Sequence, residues 1–107
     1  MAGWYELSKN DKGQFHFVLK AGNGEVILSS ESYTSKAAAE TGITSVQSNS
    51  PLDERYERKE AVNGRFYFNL KAANHQIVGT SQMYTSTSGR DNGIESVKTN
   101  GVTTTIK

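Results

Sequence analysis

The chain has 107 residues, the size of one domain, and 35% of them are hydrophobic. Its 12 basic and 11 acidic residues give a net charge of +1, which argues against a dedicated duplex-DNA binder. The chain contains no cysteine, which excludes disulfides, cysteine-ligated zinc and thiol catalysis.

The first part of the chain predicts three antiparallel strands. They cover Trp4–Lys9, residues 14–20 and residues 25–30, and the Asn-Gly pair at 23–24 favours a type I′ turn between the last two. Residues 14–20 alternate at period two, so we expect one face of this strand to carry Phe15, Phe17 and Leu19.

A helix is predicted after these strands. Ser35 is a candidate N-cap, and the helix ends near Asn49, just before Pro51. Small residues inside this helix, including Gly42, predict a close approach to another element. The apolar stripe of the helix is formed by Ala39, Ile43 and Val46.

The chain is a tandem repeat, because shifting it by 51 positions aligns it with itself without a gap. Between Tyr5 and Ser50, 18 of 46 aligned pairs are identical. The second copy therefore predicts a strand around residues 54–59, two further strands, and a helix from about Thr87 to Thr99. The β-branched run at Thr103–Ile106 predicts a last strand.

These elements predict an α+β fold. Two tandem strand-strand-strand-helix repeats, at about 4–51 and 55–102, and a C-terminal strand at 102–107 would form one mainly antiparallel sheet within a single domain, 1–107. Because the Phe-x-Phe-x-Leu strands present matching apolar faces, we expect both helices on one face of the sheet.

Three motifs are present in both copies: a Gly-x-Phe-x-Phe-x-Leu-Lys-Ala-x-Asn core, a Tyr-Thr-Ser link into the helix, and a closing Gly-Ile-x-Ser-Val-x-x-Asn. Together they resemble the YegP-like family of small bacterial proteins of unknown function. The resemblance implies that the two repeats share one sheet and exchange their C-terminal strands, and it implies no activity. The chain departs from the shared pattern at His75, where the first copy has Gly24, and at the start of the second helix.

One candidate site lies in the loops before the helices. Hydroxyls and free amides at a helix start, with a nearby lysine, are suited to an anion. The alternative is that the serines are N-caps and the tyrosines pack against the sheet. The candidate anion-binding residues are Lys20, Tyr33, Thr34, Ser35, Lys71, Tyr84, Thr85 and Ser86.

A second candidate is the sheet face opposite the helices, where His16, Tyr67 and Asn69 would lie beside lysines. Aromatic and cationic side chains on an open sheet bind single-stranded nucleic acid in other folds. The alternative is an ordinary solvated face with few aromatics. The charged run at 53–60 is interpreted as ion pairs on a strand, and not as an acid–base pair.

No spacing of residues indicates a metal site, a cofactor or a catalytic triad, and no apolar run is long enough to span a membrane. The N-terminal residues do not form a secretory signal, so a cytoplasmic location is expected. The function is predicted to be that of a non-catalytic binding or interaction module for an unknown protein or small-molecule partner, as a monomer or weak homodimer. The alternatives are a weak single-stranded nucleic-acid or anion binder and, least supported, a small enzyme.

Overall fold

The computed structural model describes residues 3–107. The chain forms two sets of three strands, and each set is followed by one helix: α1 at Lys36–Asn49 after the first set and α2 at Thr87–Asn100 after the second. A 3₁₀ turn at Asp53–Arg55 lies between α1 and the second set. The strands are β1 at Trp4–Lys9, β2 at Phe15–Lys20, β3 at Val26–Ser29, β4 at Tyr56–Glu60, β5 at Phe66–Lys71 and β6 at Ile77–Thr80.

The six strands form one antiparallel sheet in the order β1-β2-β3-β6-β5-β4. The two repeats meet at its centre, where β3 pairs with β6 through Ser29 and Thr80. These two residues are equivalent under the 51-residue offset. A pseudo-twofold axis therefore passes between them and relates the two halves of the sheet.

One face of the sheet carries the core, as the alternation in β2 predicts. Phe17, Leu19, Phe68 and Leu70 have no exposed surface. They belong to a single cluster that also contains apolar residues of both helices. Because both helices contribute to this cluster, both lie on the same face, and the predicted fold class is confirmed. The helix residues in the cluster are Ile43, Val46, Ile94 and Val97.

The two repeats are interlocked by a reciprocal pair of tyrosines. The Tyr5 hydroxyl donates to the carbonyl oxygen of Gly101 at 2.6 Å, and the Tyr56 hydroxyl donates to that of Ser50 at 2.6 Å. Gly101 and Ser50 cap the C-terminal ends of α2 and α1. The first strand of each repeat therefore binds the helix end of the other repeat, which satisfies carbonyl groups that a helix leaves unpaired.

The hairpin turns differ from the type I′ geometry expected at 23–24. Gly24 alone in this turn has a positive φ, 86°, and its N–H donates to the carbonyl of Ala21. The Ala21 N–H in turn donates to the carbonyl of Glu25. This is a type I turn followed by one left-handed residue, so the type I′ prediction was wrong. His75 takes the same position in the second copy, with φ 69°.

The C-terminal segment pairs over a shorter stretch than the strand predicted at 102–107. Ile106 forms a parallel bridge with Tyr5, and three backbone hydrogen bonds join residues 105–107 to β1. We call residues 103–107 the tail. The strand expected around residues 54–59 begins only at Tyr56, because residues Asp53–Arg55 form a 3₁₀ turn. The sheet therefore has six regular strands, with the tail along the outer edge of β1.

Candidate ligand-binding surfaces

The serines before the helices are N-caps. Ser35 Oγ accepts a hydrogen bond from the N–H of Ala38 at 3.1 Å, and Ser86 Oγ accepts one from the N–H of Gly89 at 3.0 Å. Each hydroxyl thus satisfies an amide that a helix start otherwise leaves unpaired. Thr34 and Thr85, the next candidates in these loops, are exposed.

The tyrosines of the same loops pack inward. The Tyr33 ring is stacked on Phe17 with centroids 6.2 Å apart. Its hydroxyl lies so close to Gly42 that a Cβ there would collide with it. Tyr84 makes the equivalent contacts with Phe68 and with Gly93 in α2. The glycine inside each helix therefore makes room for the tyrosine, which is the close approach that the small residues predict.

Lys20 and Lys71 do not join these loops. The pre-helix loop pairs with the start of β2, through Phe15 and Tyr33, whereas Lys20 ends that strand on the opposite face. Five residues of a strand span about 17 Å, which separates the lysine from the helix start. Lys71 has the same place in β5. The structure therefore corrects the grouping of the lysines with the loop hydroxyls.

Both lysines are instead paired with glutamates on the open face. Lys20 Nζ lies 3.0 Å from a carboxylate oxygen of Glu6, and Lys71 Nζ lies 2.9 Å from one of Glu57. A hydrogen bond from the Trp4 indole, together with Lys20, lowers the pKa of Glu6. Lys71 and a side-chain amide lower the pKa of Glu57. These carboxylates stay ionised at neutral pH and neutralise the lysines that an anion would need.

The three open-face candidates do not form one site. Asn69 is only 6% exposed: its amide donates to Glu57 at 3.0 Å, and its oxygen accepts from Thr80 at 2.9 Å. Its edge is therefore not available to a ligand, contrary to the sequence prediction. His16 lies in β2 and Tyr67 in β5, with β3 and β6 between them. Three strand spacings alone separate them by about 14 Å across the sheet, too far for one stacked base.

The charged run at 53–60 forms ion pairs, as predicted. Asp53 lies 2.8 Å from Lys98 Nζ and 3.1 Å from Arg58. Hydrogen bonds from Lys98 and Arg58 hold the pKa of Asp53 below its ordinary value. These ion pairs join the turn at Asp53–Arg55 to α2 and to β4.

A cavity that the sequence analysis missed lies at the outer edge of the first repeat. It has a volume of about 490 Å³ and lies between β1, the start of α1 and the tail. We call it the β1–α1 cleft. It is lined by Leu7, Ser8, Lys9, Phe15, Lys36, Glu40, Ile106 and Lys107.

The cleft combines an apolar surface with cations. Phe15 and Leu7 are half-buried and Ile106 is 47% exposed, so apolar surface remains open there. Lys9 Nζ lies 5.6 Å from the centroid of the Phe15 ring. Among residues 3–107, neither Lys9 nor Lys36 makes an ion pair within 4.0 Å.

The second repeat fills the equivalent place with its own side chains. Arg58 stands where the first copy has Leu7, and its Nε lies 3.7 Å from Asp91, the equivalent of Glu40. Arg90 also covers Phe66, the equivalent of Phe15, at 5.8 Å from the ring centroid. This difference between the copies is visible in the sequence as Leu7 against Arg58, and it is the signal from which the cleft could have been predicted.

Within residues 3–107, no group of three or more histidine, aspartate and glutamate side chains is placed to hold a metal ion. In that same range, no helix has both the length and the apolar character needed to cross a bilayer.

Comparison with known proteins supports the repeat and the fold. A family model described as a domain of unknown function, DUF1508, matches the chain twice, at residues 10–57 and 61–107. The chain belongs to the DUF1508 family. The two matches support the presence of two copies, and each begins about six residues after the start of the corresponding predicted repeat.

Relatives of this family member come from several bacteria. The UPF0339 protein YegP of Escherichia coli K12 is 67% identical over 107 residues, which are all of this chain and 97% of YegP. A UPF0339 protein of Shewanella oneidensis is 68% identical over the same length and the same coverage. The solution NMR structure of Escherichia coli YegP matches all of this chain and 92% of its own with a TM-score of 0.95. That protein is described as one of unknown function.

Proposed function

We propose that this DUF1508 protein is a non-catalytic binding module of the cytoplasm that holds a small ligand in the β1–α1 cleft. The observation that carries the proposal is the cleft itself, an open cavity of about 490 Å³ with an apolar surface and two lysines, Lys9 and Lys36, that make no ion pair within residues 3–107. Small-molecule sites in proteins typically have volumes of ~300–1,000 Å³ and combine apolar walls with a few polar groups.

The cleft is favoured over the other two candidate surfaces because two of its cations, Lys9 and Lys36, make no ion pair among residues 3–107. In the pre-helix loops, Ser35 and Ser86 cap the helices. On the open face, Lys20 and Lys71 are paired with glutamates. A ligand at either surface would displace existing hydrogen bonds or ion pairs, whereas a head group beside Lys9 or Lys36 would not break an ion pair within residues 3–107.

A binding role is favoured over catalysis by the state of the carboxylates. Glu6, Asp53 and Glu57 have lowered pKa values, and each lies in an ion pair. A general acid acting near neutral pH requires a carboxyl group whose pKa is raised. These groups are therefore suited to structural ion pairs.

The proposal is tested by NMR titration with 1-octanol, a neutral probe with an apolar body. In the wild-type protein we expect the amide signals of Leu7, Phe15 and Ile106 to shift in a saturable way. The Leu7→Arg variant should remove these shifts, because the second repeat holds Arg58 at the equivalent position and pairs it with an acidic residue. For the same reason, this variant should stay folded.

The matched control is Arg58→Leu in the second repeat. It removes the arginine at the opposite edge of the sheet and should leave the octanol shifts at Leu7 unchanged. Absence of saturable shifts in the wild type would overturn the proposal. Equal shifts in wild type and a folded Leu7→Arg variant would do the same.

A further inference from the structure

The charge around the β1–α1 cleft indicates which ligands it would take. We propose that the cleft selects organic anions, namely carboxylates with an aliphatic or aromatic body, over neutral or cationic molecules of the same shape. This inference rests on the proposed function, because it assumes that the cleft is a ligand site.

Positive side chains outnumber negative ones at the cleft. Lys9, Lys36 and Lys107 line it, against the single carboxylate of Glu40. Lys107 Nζ lies 4.2 Å from the Trp4 ring centroid, a closer aromatic contact than the 5.6 Å between Lys9 Nζ and the Phe15 ring centroid. Lys9 and Lys36 are left as the cations for a ligand head group.

The geometry places a cation beside the apolar surface. Lys9 Nζ is 5.6 Å from the Phe15 ring centroid, so a ligand body resting on Phe15 would have its head group near this ammonium. No ion pair within 4.0 Å holds Lys9 or Lys36 in residues 3–107, so a carboxylate would not have to break one. An anion with an apolar body matches both features at once.

The second repeat shows that the fold itself does not require this charge. There, Glu60 and Thr87 replace Lys9 and Lys36, and Arg58 is paired with Asp91. At the equivalent surface the carboxylate of Asp91 is therefore already paired with two arginines, Arg58 and Arg90. Lys9 and Lys36 are therefore particular to the first repeat, as is the tail that lies beside β1.

The test compares three probes of one chain length: octanoate, 1-octanol and octylamine. We expect octanoate to bind roughly three- to thirtyfold more tightly than 1-octanol, since each exposed ion pair contributes a small free energy. Octylamine should bind more weakly than 1-octanol. Added salt should weaken octanoate binding and leave that of 1-octanol unchanged.

Charge variants separate the selectivity from the binding itself. Lys36→Gln should weaken octanoate binding and leave 1-octanol binding unchanged, and Glu40→Gln should strengthen octanoate binding. Lys59→Gln, an exposed lysine of β4 at the opposite edge of the sheet, is the matched control and should change neither.

The outcomes distinguish the two proposals. Equal affinity for octanoate and 1-octanol, with shifts in the cleft for both, would overturn the anion selectivity and leave the binding module intact. Unchanged octanoate affinity in Lys36→Gln and Glu40→Gln would also overturn it. No binding of any probe in the cleft would overturn the proposed function and this inference together.

Discussion

Leu28 and Gly79 occupy equivalent positions in the two repeats, and they are in contact across the pseudo-twofold axis. A Cβ built on Gly79 would lie 2.6 Å from Leu28 Cδ2, closer than real Cβ contacts. Ser50 and Gly101 show the same pattern at the helix ends, where a Cβ on Gly101 would collide with the Ser50 side chain. At both places the space near the axis holds only one side chain. The first repeat provides that side chain, and the second repeat has glycine at the equivalent position.

The first prediction exchanges this pair. Gly79→Leu alone should destabilise the protein by about 1–3 kcal/mol through overpacking. Leu28→Gly alone should cost about 2–5 kcal/mol, because Leu28 is 1% exposed and its loss leaves a cavity. The double variant should recover most of the loss, since the surroundings are nearly symmetric. Chemical denaturation of all four proteins gives the coupling energy, and simple additivity would contradict the prediction.

The second prediction concerns the left-handed residue of the β5–β6 turn. His75→Gly should stabilise the protein by roughly 0.5–1 kcal/mol, because glycine adopts the positive φ of 69° without steric strain. Gly24→His, at the equivalent turn of the first repeat, is the matched control and should destabilise by a similar amount. Thermal and chemical unfolding measure both effects, and a loss of stability in His75→Gly would show a compensating role for the imidazole.

The third prediction is a loss of stability in alkali. Burial raises the pKa of Tyr5 and Tyr56 above the ordinary value of 10.0. Above pH 10 the unfolded chain releases these phenolic protons while the folded chain keeps them, so the free energy of unfolding must fall as pH rises. The pKa of Lys98, raised mainly by its hydrogen bond to Asp53, adds to the same trend.

The double variant Tyr5→Phe, Tyr56→Phe tests this assignment. It should be less stable at pH 7, by roughly 0.5–1.5 kcal/mol for each lost hydrogen bond. It should also lose less stability between pH 9 and 12 than the wild type, as measured by urea unfolding at each pH. Tyr67→Phe on the open face is the control and should follow the wild type. An alkaline slope equal to that of the wild type in the double variant would contradict the assignment.

The fourth prediction concerns residues 1–51 as a fragment. Their Tyr5 hydroxyl bonds to Gly101, and Ser50 receives the hydroxyl of Tyr56, so both partners lie in the other repeat. A homodimer of the fragment would place Leu28 against Leu28 and serine against serine at the axis. We therefore expect an unfolded fragment that regains structure on mixing with residues 52–107.

Amide dispersion in NMR spectra and sedimentation of each fragment and of the mixture provide the measurement. A well-dispersed spectrum from residues 1–51 alone, as monomer or as homodimer, would show that the first repeat does not need the second. A mixture that stays unfolded would show that the covalent link is itself essential.

Much of the fold could be predicted from the sequence because it depends on local patterns. The alternation around Phe17 identified the buried face, and Ser35 and Ser86 identified the helix starts, since capping depends on neighbouring residues alone. Because the chain is duplicated, each of these sequence patterns occurs twice and supports the same prediction in both copies. The turn type was mistaken because Asn-Gly suits several hairpin geometries, and the closing hydrogen bonds decide among them.

The sites were harder to predict because they depend on which strands are neighbours. Lys20 and Phe15 lie at opposite ends of β2, and their side chains are on opposite faces of the sheet. Phe15 is next to the loop before α1, and Lys20 is therefore far from that loop. The burial of Asn69 depends on Thr80 in a strand that only the sheet order places beside it. The cleft exists because the tail lies against β1, and the residues of the tail alone do not indicate that β1 is the strand with which they pair.

The parallel pairing of the tail with β1 has a mechanical consequence. A pulling force applied between Gly3 and Lys107 would act along both segments in opposite directions. The three hydrogen bonds at Tyr5, Leu7 and Lys107 would then be loaded in shear and would have to break together. An antiparallel tail would instead be peeled away one bond at a time. The contact that closes the sheet edge therefore also acts as a clamp that resists extension of the chain from its ends.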